Sequence, residues 1–139
     1  KTKGKKIVTT NGIYDLLHVG HTQLLRTAKS FGDILILAIN TDASTKRFKG
    51  PKRPINNEND RTELVANLST VDYVILFDED TPEELLNQLK PDIHVKGGDY
   101  KESDLPESKT VQRHGGKIKI VKLVEGKSST KLIEKIQNS

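Results

Sequence analysis

Two histidines near the amino terminus have the type and spacing expected of a phosphate-binding site. His18 and His21 form a His-x-Gly-His motif that follows a short apolar run and the turn residues Asn11 and Gly12. This pattern predicts a buried strand, a glycine-containing loop and the start of a helix. The exposed N–H groups of a helix N-terminus attract anions, and imidazoles add hydrogen bonds or positive charge beside them. We therefore expect the motif to bind the phosphates of a nucleotide.

The same two histidines could instead be half of a metal site or a coincidence on the surface, because histidines three residues apart share one face of a helix. Zinc sites usually need a third or fourth nitrogen or sulfur ligand. The chain has no cysteine, and its remaining histidines, His94 and His114, lie far away in sequence. We therefore favour phosphate chemistry and predict no metal held by the protein alone.

The composition is that of a small α/β domain with an aliphatic core. The chain has 139 residues, 33% of them hydrophobic but only 4% aromatic, which favours a single domain over residues 1–139 with residues 1–5 as a basic lead-in. A net charge of +4 suits small anions, while three Phe, three Tyr and no Trp offer little stacking for nucleic acid. No apolar stretch approaches the ~20 residues of a membrane helix. We expect no nucleic-acid partner, no membrane insertion and a cytoplasmic location.

Short apolar runs alternate with segments of helical spacing along the chain. Strands are predicted at Lys6–Thr10, Ile34–Asn40, Tyr73–Phe77, Ile93–Lys96 and Lys117–Leu123. Helices are predicted at His21–Phe31, Asn59–Leu68, Pro82–Leu89, Pro106–His114 and Ser128–Gln137. The alternation predicts an α/β fold, a Rossmann-like open parallel sheet of five strands with helices on both faces. Ligands bind such sheets beyond the carboxyl ends of the strands, where the strand order reverses, and the His-x-Gly-His loop falls there.

The segment Thr45–Asn57 is predicted to be one long irregular stretch, rich in Lys, Arg, Pro and Asn. Its basic part, Lys46–Pro54, could close over an anionic substrate and exclude water. An ordinary charged surface loop is the alternative, although loops longer than about 12 residues are usually functional or disordered. Lys46 and Arg47 lie nearest the preceding strand and are therefore best placed to reach phosphates.

Two further segments are expected to lie beside the loop that carries the His-x-Gly-His motif. In Lys96–Tyr100 the paired glycines let a ligand approach the backbone, and Asp99 and Tyr100 offer hydrogen bonds and a stacking face. A simple turn is the alternative there. Ser128–Thr130 places three hydroxyls at a predicted helix start, where they either cap the helix or donate to a phosphate.

The segment Thr10–His21 resembles the signature of the nucleotidylyltransferase superfamily, whose His-x-Gly-His motif binds a nucleoside triphosphate. The closer resemblance is to the adenylyltransferases that activate heptose 1-phosphate as ADP-heptose for lipopolysaccharide cores, and it covers nearly the whole chain. The run Asn40–Asn56 and the segment Lys96–Tyr100 are the specific parts. The chain departs from that family at Ile13-Tyr14, where Cys-Phe is usual, and at Lys127, where Arg is usual. Both changes keep the gross character of the site.

The resemblance implies transfer of AMP from ATP to a sugar 1-phosphate, with release of pyrophosphate. The attacking phosphate oxygen is already anionic near neutral pH, so the site must align two polyanions and neutralise charge rather than supply a base. Catalytic roles are implied for His18, His21 and Lys46. Nucleotide binding is implied for Thr10, Asn11, Gly12, Tyr14, Gly20, Gly97, Gly98, Asp99, Ser128, Ser129 and Thr130. Sugar-phosphate binding is implied for Arg47, Lys49 and Arg53.

Mg²⁺ is expected as an ion bound through the nucleotide phosphates, and ATP and a sugar 1-phosphate are the expected partners. A homodimer and a separate or fused sugar kinase are further expectations. The alternative enzyme is a glycerol-3-phosphate cytidylyltransferase, although this chain has Gly98 where that family carries an acidic residue and Ser69-Thr70 where it carries Arg-Tyr. A non-catalytic nucleotide-binding module is the alternative of another class, and the intact histidine pair argues against it.

Overall fold

An open parallel sheet organises the structure, a computed structural model that describes residues 4–98, 100–122 and 129–138. Its strands in this part of the chain are β1 (Ile7–Gly12), β2 (Ile34–Asn40), β3 (Tyr73–Phe77), β4 (Ile93–Gly97) and β5 (Lys117–Val121). Their order is β3-β2-β1-β4-β5, and every neighbouring pair is parallel. The predicted five-stranded α/β fold is confirmed. The bounds of β2 and β3 are those predicted.

Helices connect the strands and cover the sheet. They are α1 (Val19–Ser30), α2 (Asp42–Lys49), α3 (Glu58–Ala66), α4 (Glu83–Leu89), α5 (Ser108–Arg113) and α6 (Ser129–Gln137), with a 3₁₀ turn at Glu102–Asp104. Right-handed crossovers place α1 and α3 on one face and α5 on the other, since the chain moves outward from β1 in one direction and from β4 in the other. Across the described ranges, no helix is both long and apolar enough to span a membrane.

Aliphatic side chains form the core in two clusters. The larger cluster joins β1, β2 and β4 to α1 and α3, and Leu25, Leu35 and Val65 within it have no exposed surface. The smaller one joins α4, α5 and β5 through Leu86, Leu105, Val111 and Ile118. Because β2 is buried on both faces, its sequence is almost continuously apolar.

The prediction of an irregular stretch from Thr45 to Asn57 is wrong at its first five residues, which belong to α2. Thr41 caps this helix, since the Ser44 amide donates to its Oγ1 at 3.2 Å. Asp42 lies in the first turn and three basic residues lie in the last, which is the charge distribution that a helix dipole favours. The Lys and Arg residues that made this segment look like a loop lie at the charged end of a short helix.

Other element ends differ from the predictions by a few residues. β1 continues through Asn11 and Gly12, which the sequence placed in a turn. α1 begins at Val19, so His18 is the N-cap of the helix rather than a residue of the preceding loop. β5 ends at Val121, and its predicted end, Leu123, lies outside the described residues. A single domain over residues 1–139 stays a prediction.

The strand order reverses between β1 and β4, which run side by side but lead to opposite edges of the sheet. The carboxyl end of β1 is Gly12 and that of β4 is Gly97. A crevice opens beyond such a reversal because the connections leave it in opposite directions. The candidate site lies at this crevice.

Candidate active site

A cavity of about 240 Å³ lies at the carboxyl ends of β1 and β4. We call it the first cavity. Its walls come from the end of β1, the loop to α1, the first turns of α1, the end of β4, the end of α2 with the segment after it, and the start of α6. The lining residues are Asn11, Gly12, Ile13, Tyr14, Asp15, His18, Gly20, His21, Leu24, Lys49, Arg53, Lys96, Gly97 and Thr130.

The histidine pair is built into the N-terminus of α1. The Gly20 amide donates to His18 Nδ1 at 3.1 Å, and the His18 amide donates to His21 Nδ1 at 3.3 Å. This is a capping box in which imidazoles replace the usual hydroxyl and carboxylate. Because each Nδ1 accepts a backbone N–H, each neutral ring carries its proton on Nε2. The pair therefore presents two N–H donors of the kind that a phosphate accepts.

The two imidazoles hold each other in a fixed arrangement. Their ring centroids lie 3.9 Å apart and the rings are stacked at 26°. Burial, together with the neighbouring His18, lowers the pKa of His21 from 6.5 to about 4. His21 is therefore neutral near pH 7 in the ligand-free protein, and a bound polyphosphate would raise its pKa again.

Tyr14 packs behind His21 and explains the glycine at position 12. The Tyr14 ring is buried, lies 4.7 Å from the His21 ring and hydrogen-bonds with Thr10. Burial raises the pKa of the Tyr14 hydroxyl. A Cβ added to Gly12 would lie 2.7 Å from the Tyr14 ring, so a side chain there would displace it. Gly12 is thus required for the packing that supports His21.

Asp15 ties a distant segment to this loop. Its carboxylate is fully buried and accepts hydrogen bonds from Arg53 Nε at 2.9 Å and from the amides of Ile55 and Asn56 at 2.9 Å. Burial by itself raises the pKa of Asp15, but the hydrogen bonds from Asn56, Ile55 and Arg53 hold it below its ordinary value. Asp15 is therefore an ionised anchor that fixes Arg53 beside the cavity.

Arg61, on α3, hydrogen-bonds to the loop between β1 and α1 and to segments at both ends of α2. Its side chain has no exposed surface and donates to Asn56 O at 3.0 Å, Ile13 O at 2.6 Å and Asp42 Oδ1 at 2.8 Å. One guanidinium thus joins the first loop, the segment after α2 and the start of α2. Sequence reasoning missed both Asp15 and Arg61, because a charged residue on a loop or helix gives no local sign of burial.

A second cavity, of about 510 Å³, adjoins the first. The two cavities share five lining residues, which we call the shared wall: Asn11, Gly12, Ile13, Lys49 and Lys96. Two of the five are lysines. The rest of the lining of the second cavity combines carboxylates, aromatic rings and apolar side chains. These residues are Asn40, Phe48, Asp80, Thr81, Pro82, Tyr100, Asp104, Leu105, Pro106 and Glu107.

The structure brings most of the predicted site residues to the first cavity. These are Asn11, Gly12, Tyr14, His18, Gly20, His21, Lys49, Arg53, Gly97 and Thr130. Thr10 lies behind it, buried, with its hydroxyl donating to Val95 O at 2.8 Å. Asp99, Ser128 and the side chain of Ser129 lie outside the described residues. Lys96, which sequence reasoning did not place among the site residues, lines both cavities.

Three other predicted residues do not line either cavity. Gly98 adopts a φ of +128°, and a Cβ there would lie 2.9 Å from the Tyr100 ring. Lys46 is exposed on α2. Arg47, on the same helix, donates from Nε to Asp80 Oδ1 at 2.9 Å and also donates to the Asp78 carbonyl. Lys46 and Arg47 thus differ from Phe48 and Lys49, which lie on the same helix and do line cavities.

Protein side chains alone do not form a metal cage in the described part of the chain. Within residues 4–98, 100–122 and 129–138, no group of three or more His, Cys, Asp or Glu side chains is arranged to hold a metal ion. Asn11 Oδ1, at the shared wall, is buried and has no hydrogen-bond partner within those ranges.

Known proteins match the sequence of this chain over nearly its whole length. Proteins described as "Bifunctional protein HldE" from Geobacter metallireducens and Aliarcobacter butzleri are each 50% identical to it over 136 residues. These matches cover 98% of this chain but only 28% of each relative, so the chain spans about 28% of the length of those relatives.

Solved structures are also similar to this chain. The lipopolysaccharide core biosynthesis protein from Thermoplasma volcanium is 32% identical with a TM-score of 0.72, covering 89% of this chain and all of that one. A pantoate-beta-alanine ligase from Francisella tularensis, at 16% identity and a TM-score of 0.59 over all of this chain and 74% of its own, shares the fold. Residues 9–135, which include the histidine pair and the shared wall, match the family model described as Cytidylyltransferase-like. The family resemblance predicted from Thr10–His21 is thus confirmed, and this chain belongs to the cytidylyltransferase-like family.

Proposed function

We propose that this chain transfers AMP from ATP to a sugar 1-phosphate, giving an ADP-sugar and pyrophosphate. The observation that carries this proposal is the pair of adjoining cavities with Lys49 and Lys96 at their shared wall. A group-transfer enzyme needs two substrate spaces that meet where the phosphates react. Heptose 1-phosphate is the proposed acceptor, for lipopolysaccharide core or related glycan synthesis. The role of the Thermoplasma relative in lipopolysaccharide core biosynthesis supports this class of pathway.

The first cavity is the proposed site of the nucleotide. Its triphosphate would lie against the N-terminus of α1, where the helix dipole and the Nε2–H groups of His18 and His21 favour an anion. Thr130, in the first turn of α6, brings a second helix start to the same cavity. Gly97 borders the cavity at the end of β4, where the adenosine would approach the backbone.

The reaction itself takes place at the shared wall. An oxygen of the acceptor phosphate attacks the α-phosphorus of ATP, the bond from that phosphorus to the bridging oxygen breaks, and pyrophosphate leaves. Lys49 and Lys96 hold the two anions together, and the histidine N–H groups stabilise the charge that develops on the α-phosphoryl oxygens. A general base is unnecessary because the nucleophile is already ionised.

Three cations keep the roles that the resemblance implied, as parts of the proposal. Lys46 lies three residues before Lys49 on α2, so the two side chains project from the same side of the helix. Arg47 pairs with Asp80, itself a residue of the second cavity wall, so a sugar phosphate would compete for that guanidinium. Arg53 lines the first cavity with its Nε held by Asp15.

Mg²⁺ bound through the nucleotide phosphates is also part of the proposal. The residues present fit such an ion, because the unpartnered Asn11 Oδ1 at the shared wall is an acceptor of the kind that magnesium-bound water uses. When bound, the ion would neutralise phosphate charge. A sugar kinase, separate or fused, would supply the 1-phosphate, and relatives described as bifunctional extend well beyond the matched part. A homodimer and a cytoplasmic location stay predictions.

ATP is expected to be preferred over CTP. Gly98 directly follows Gly97, which borders the proposed nucleotide cavity, and it offers no carboxylate to the cytosine amine. A larger side chain there would meet the Tyr100 ring in a backbone conformation that favours glycine. The test supplies ATP and CTP at equal concentration with heptose 1-phosphate and separates the nucleotide-sugar products by chromatography.

The outcome separates the alternatives. ADP-heptose as the main product supports the proposal, whereas CDP-linked product, above all with glycerol 3-phosphate as a parallel acceptor, would replace it with cytidylyl transfer. ATP binding without pyrophosphate release for any acceptor would indicate a non-catalytic nucleotide-binding module.

A further inference from the structure

A buried row of three polar side chains leads across the sheet to the wall of the second cavity. Thr9 on β1 and His94 on β4 are partners in the strand register, so their side chains lie on the same face. Thr9 Oγ1 lies 2.8 Å from His94 Nδ1, and His94 Nε2 lies 3.5 Å from Glu107 Oε2. The three residues are 1%, 0% and 2% exposed. Glu107 nevertheless lines the second cavity.

The positions of the protons follow from the groups themselves. Thr9 and His94 share a hydrogen bond, whereas the 3.5 Å approach of His94 Nε2 to Glu107 is a long electrostatic contact, since this nitrogen has no partner of hydrogen-bonding geometry among the described residues. Burial lowers the pKa of His94, and the opposing effect of Glu107 does not reverse this, so the imidazole is neutral near pH 7. Burial raises the pKa of Glu107 by itself, but the contact with His94 holds it below its ordinary value. An ionised carboxylate only accepts, so His94 carries its proton on Nε2 and the Thr9 hydroxyl donates to Nδ1.

This arrangement leaves the Glu107 carboxylate with unused capacity. A carboxylate has about four acceptor positions, and the Glu107 backbone amide together with one long contact from His94 Nε2 engages only two of them. Burying an ionised carboxylate is unfavourable unless it is paired and hydrogen-bonded. The folded protein therefore holds a charged acceptor at the wall of the second cavity. A bound molecule with hydroxyl groups would donate to the remaining acceptor positions of this carboxylate.

The rest of the second cavity indicates what such a molecule carries. Lys49 and Lys96 suit a phosphate group. Phe48 and Tyr100, each about half exposed at 53% and 48%, offer flat faces to the apolar side of a ring. A carboxylate accepts from hydroxyl groups. A phosphorylated sugar has all three features, whereas glycerol phosphate has no ring to place on the aromatic faces.

We propose that the Glu107 carboxylate accepts a hydrogen bond from a ring hydroxyl of the sugar phosphate and so determines which acceptor is used. His94 and Thr9 are positioning residues that hold the carboxylate. This inference rests on the proposed function, because it assigns the acceptor end of the same reaction.

The test measures acceptor and nucleotide kinetics separately in Glu107→Gln. This variant keeps the shape of the side chain and removes its charge. The acceptor KM is expected to rise by about 10-fold, because a neutral amide oxygen replaces the charged acceptor, while the KM for ATP stays at the wild-type value. Glu63→Gln, at an exposed position on α3, is the matched control and is expected to change neither constant. His94→Gln should raise the acceptor KM in the same direction, again without changing that for ATP.

A second measurement uses the wild-type protein, so it stands even if the variant does not fold. Among single-deoxy analogues of the accepted sugar 1-phosphate, one is expected to show an acceptor KM raised by a similar factor. In folded Glu107→Gln, removal of the same hydroxyl should raise the acceptor KM by a clearly smaller factor than in the wild-type protein, because the remaining acceptor is neutral. Equal KM values for all analogues, or losses that multiply in the variant, would overturn the assignment.

The two proposals fail in different ways. If the wild-type protein turns over no sugar 1-phosphate, both the proposed function and this inference fall. If the wild-type protein is active and Glu107→Gln has an unchanged acceptor KM, the inference alone is wrong.

Discussion

His21→Ala is expected to lower turnover by about 10²- to 10³-fold, the loss typical when one donor to a transition-state oxyanion is removed. The His21 ring is held by a backbone N–H at Nδ1, by stacking on His18 and by the Tyr14 ring, so its Nε2–H is preorganised. Preorganised donors cost little reorganisation when charge develops. The measurement is kcat at saturating ATP and acceptor, with the fold checked by circular dichroism.

The matched control is His114→Gln at the end of α5, where the histidine contacts Asn87 and lies outside both cavities. It should retain wild-type turnover. His18→Ala should lose a similar factor, but it also removes the N-cap side chain, worth about 1 kcal/mol, whereas His21→Ala removes only the longer, 3.3 Å hydrogen bond of the capping box. Near-normal turnover in folded His21→Ala would remove the proposed catalytic role of the pair.

Arg61→Ala is expected to destabilise the protein by about 3–5 kcal/mol. The substitution leaves the carbonyls of Ile13 and Asn56 without their guanidinium donor and removes the partner of Asp42. It also leaves a hole where a fully buried side chain lay. Urea unfolding monitored by circular dichroism measures the free energy of unfolding directly.

Two further variants make that result specific. Arg26→Ala, at an exposed position on α1, should change the free energy of unfolding by no more than about 0.5 kcal/mol. Arg61→Lys should recover only part of the loss, because an ammonium cannot reproduce the planar fork that reaches three acceptors. If Arg61→Ala were as stable as Arg26→Ala, the hydrogen bonds of Arg61 to Ile13 and Asp42 would contribute nothing measurable to the free energy of unfolding.

The elements that sequence predicted well are those whose signal is local. The continuous apolar run of β2 reports a strand buried on both faces, and the alternation of strands and helices implies the parallel sheet. The position of His18 and His21 after the first strand placed them at the strand reversal without any knowledge of the strand order. Only their role as reciprocal caps was unexpected, because histidine is not a usual N-cap residue.

The features that sequence did not predict depend on contacts between distant residues. Asp15 meets Ile55 and Asn56 across 40 and 41 positions, and Arg61 meets Ile13 across 48. Nothing near any of these residues in sequence marks it as buried. The shared wall is of the same kind, since Lys49 and Lys96 come from different elements and converge only in the folded sheet. For α2, the capping signal of Thr41 was present but outweighed by the loop-like composition that follows it.

The most direct test of the two-cavity account follows the α-phosphate of ATP. The protein is incubated with Mg²⁺, heptose 1-phosphate and ATP labelled at the α-phosphorus, and the products are separated. The account predicts that the label appears in the nucleotide sugar in equal amount to the pyrophosphate released, and that Lys52→Ala, an exposed lysine outside both cavities, does the same. Label recovered only in ATP, ADP or free AMP, with none in a sugar-linked product for any sugar 1-phosphate, would contradict it.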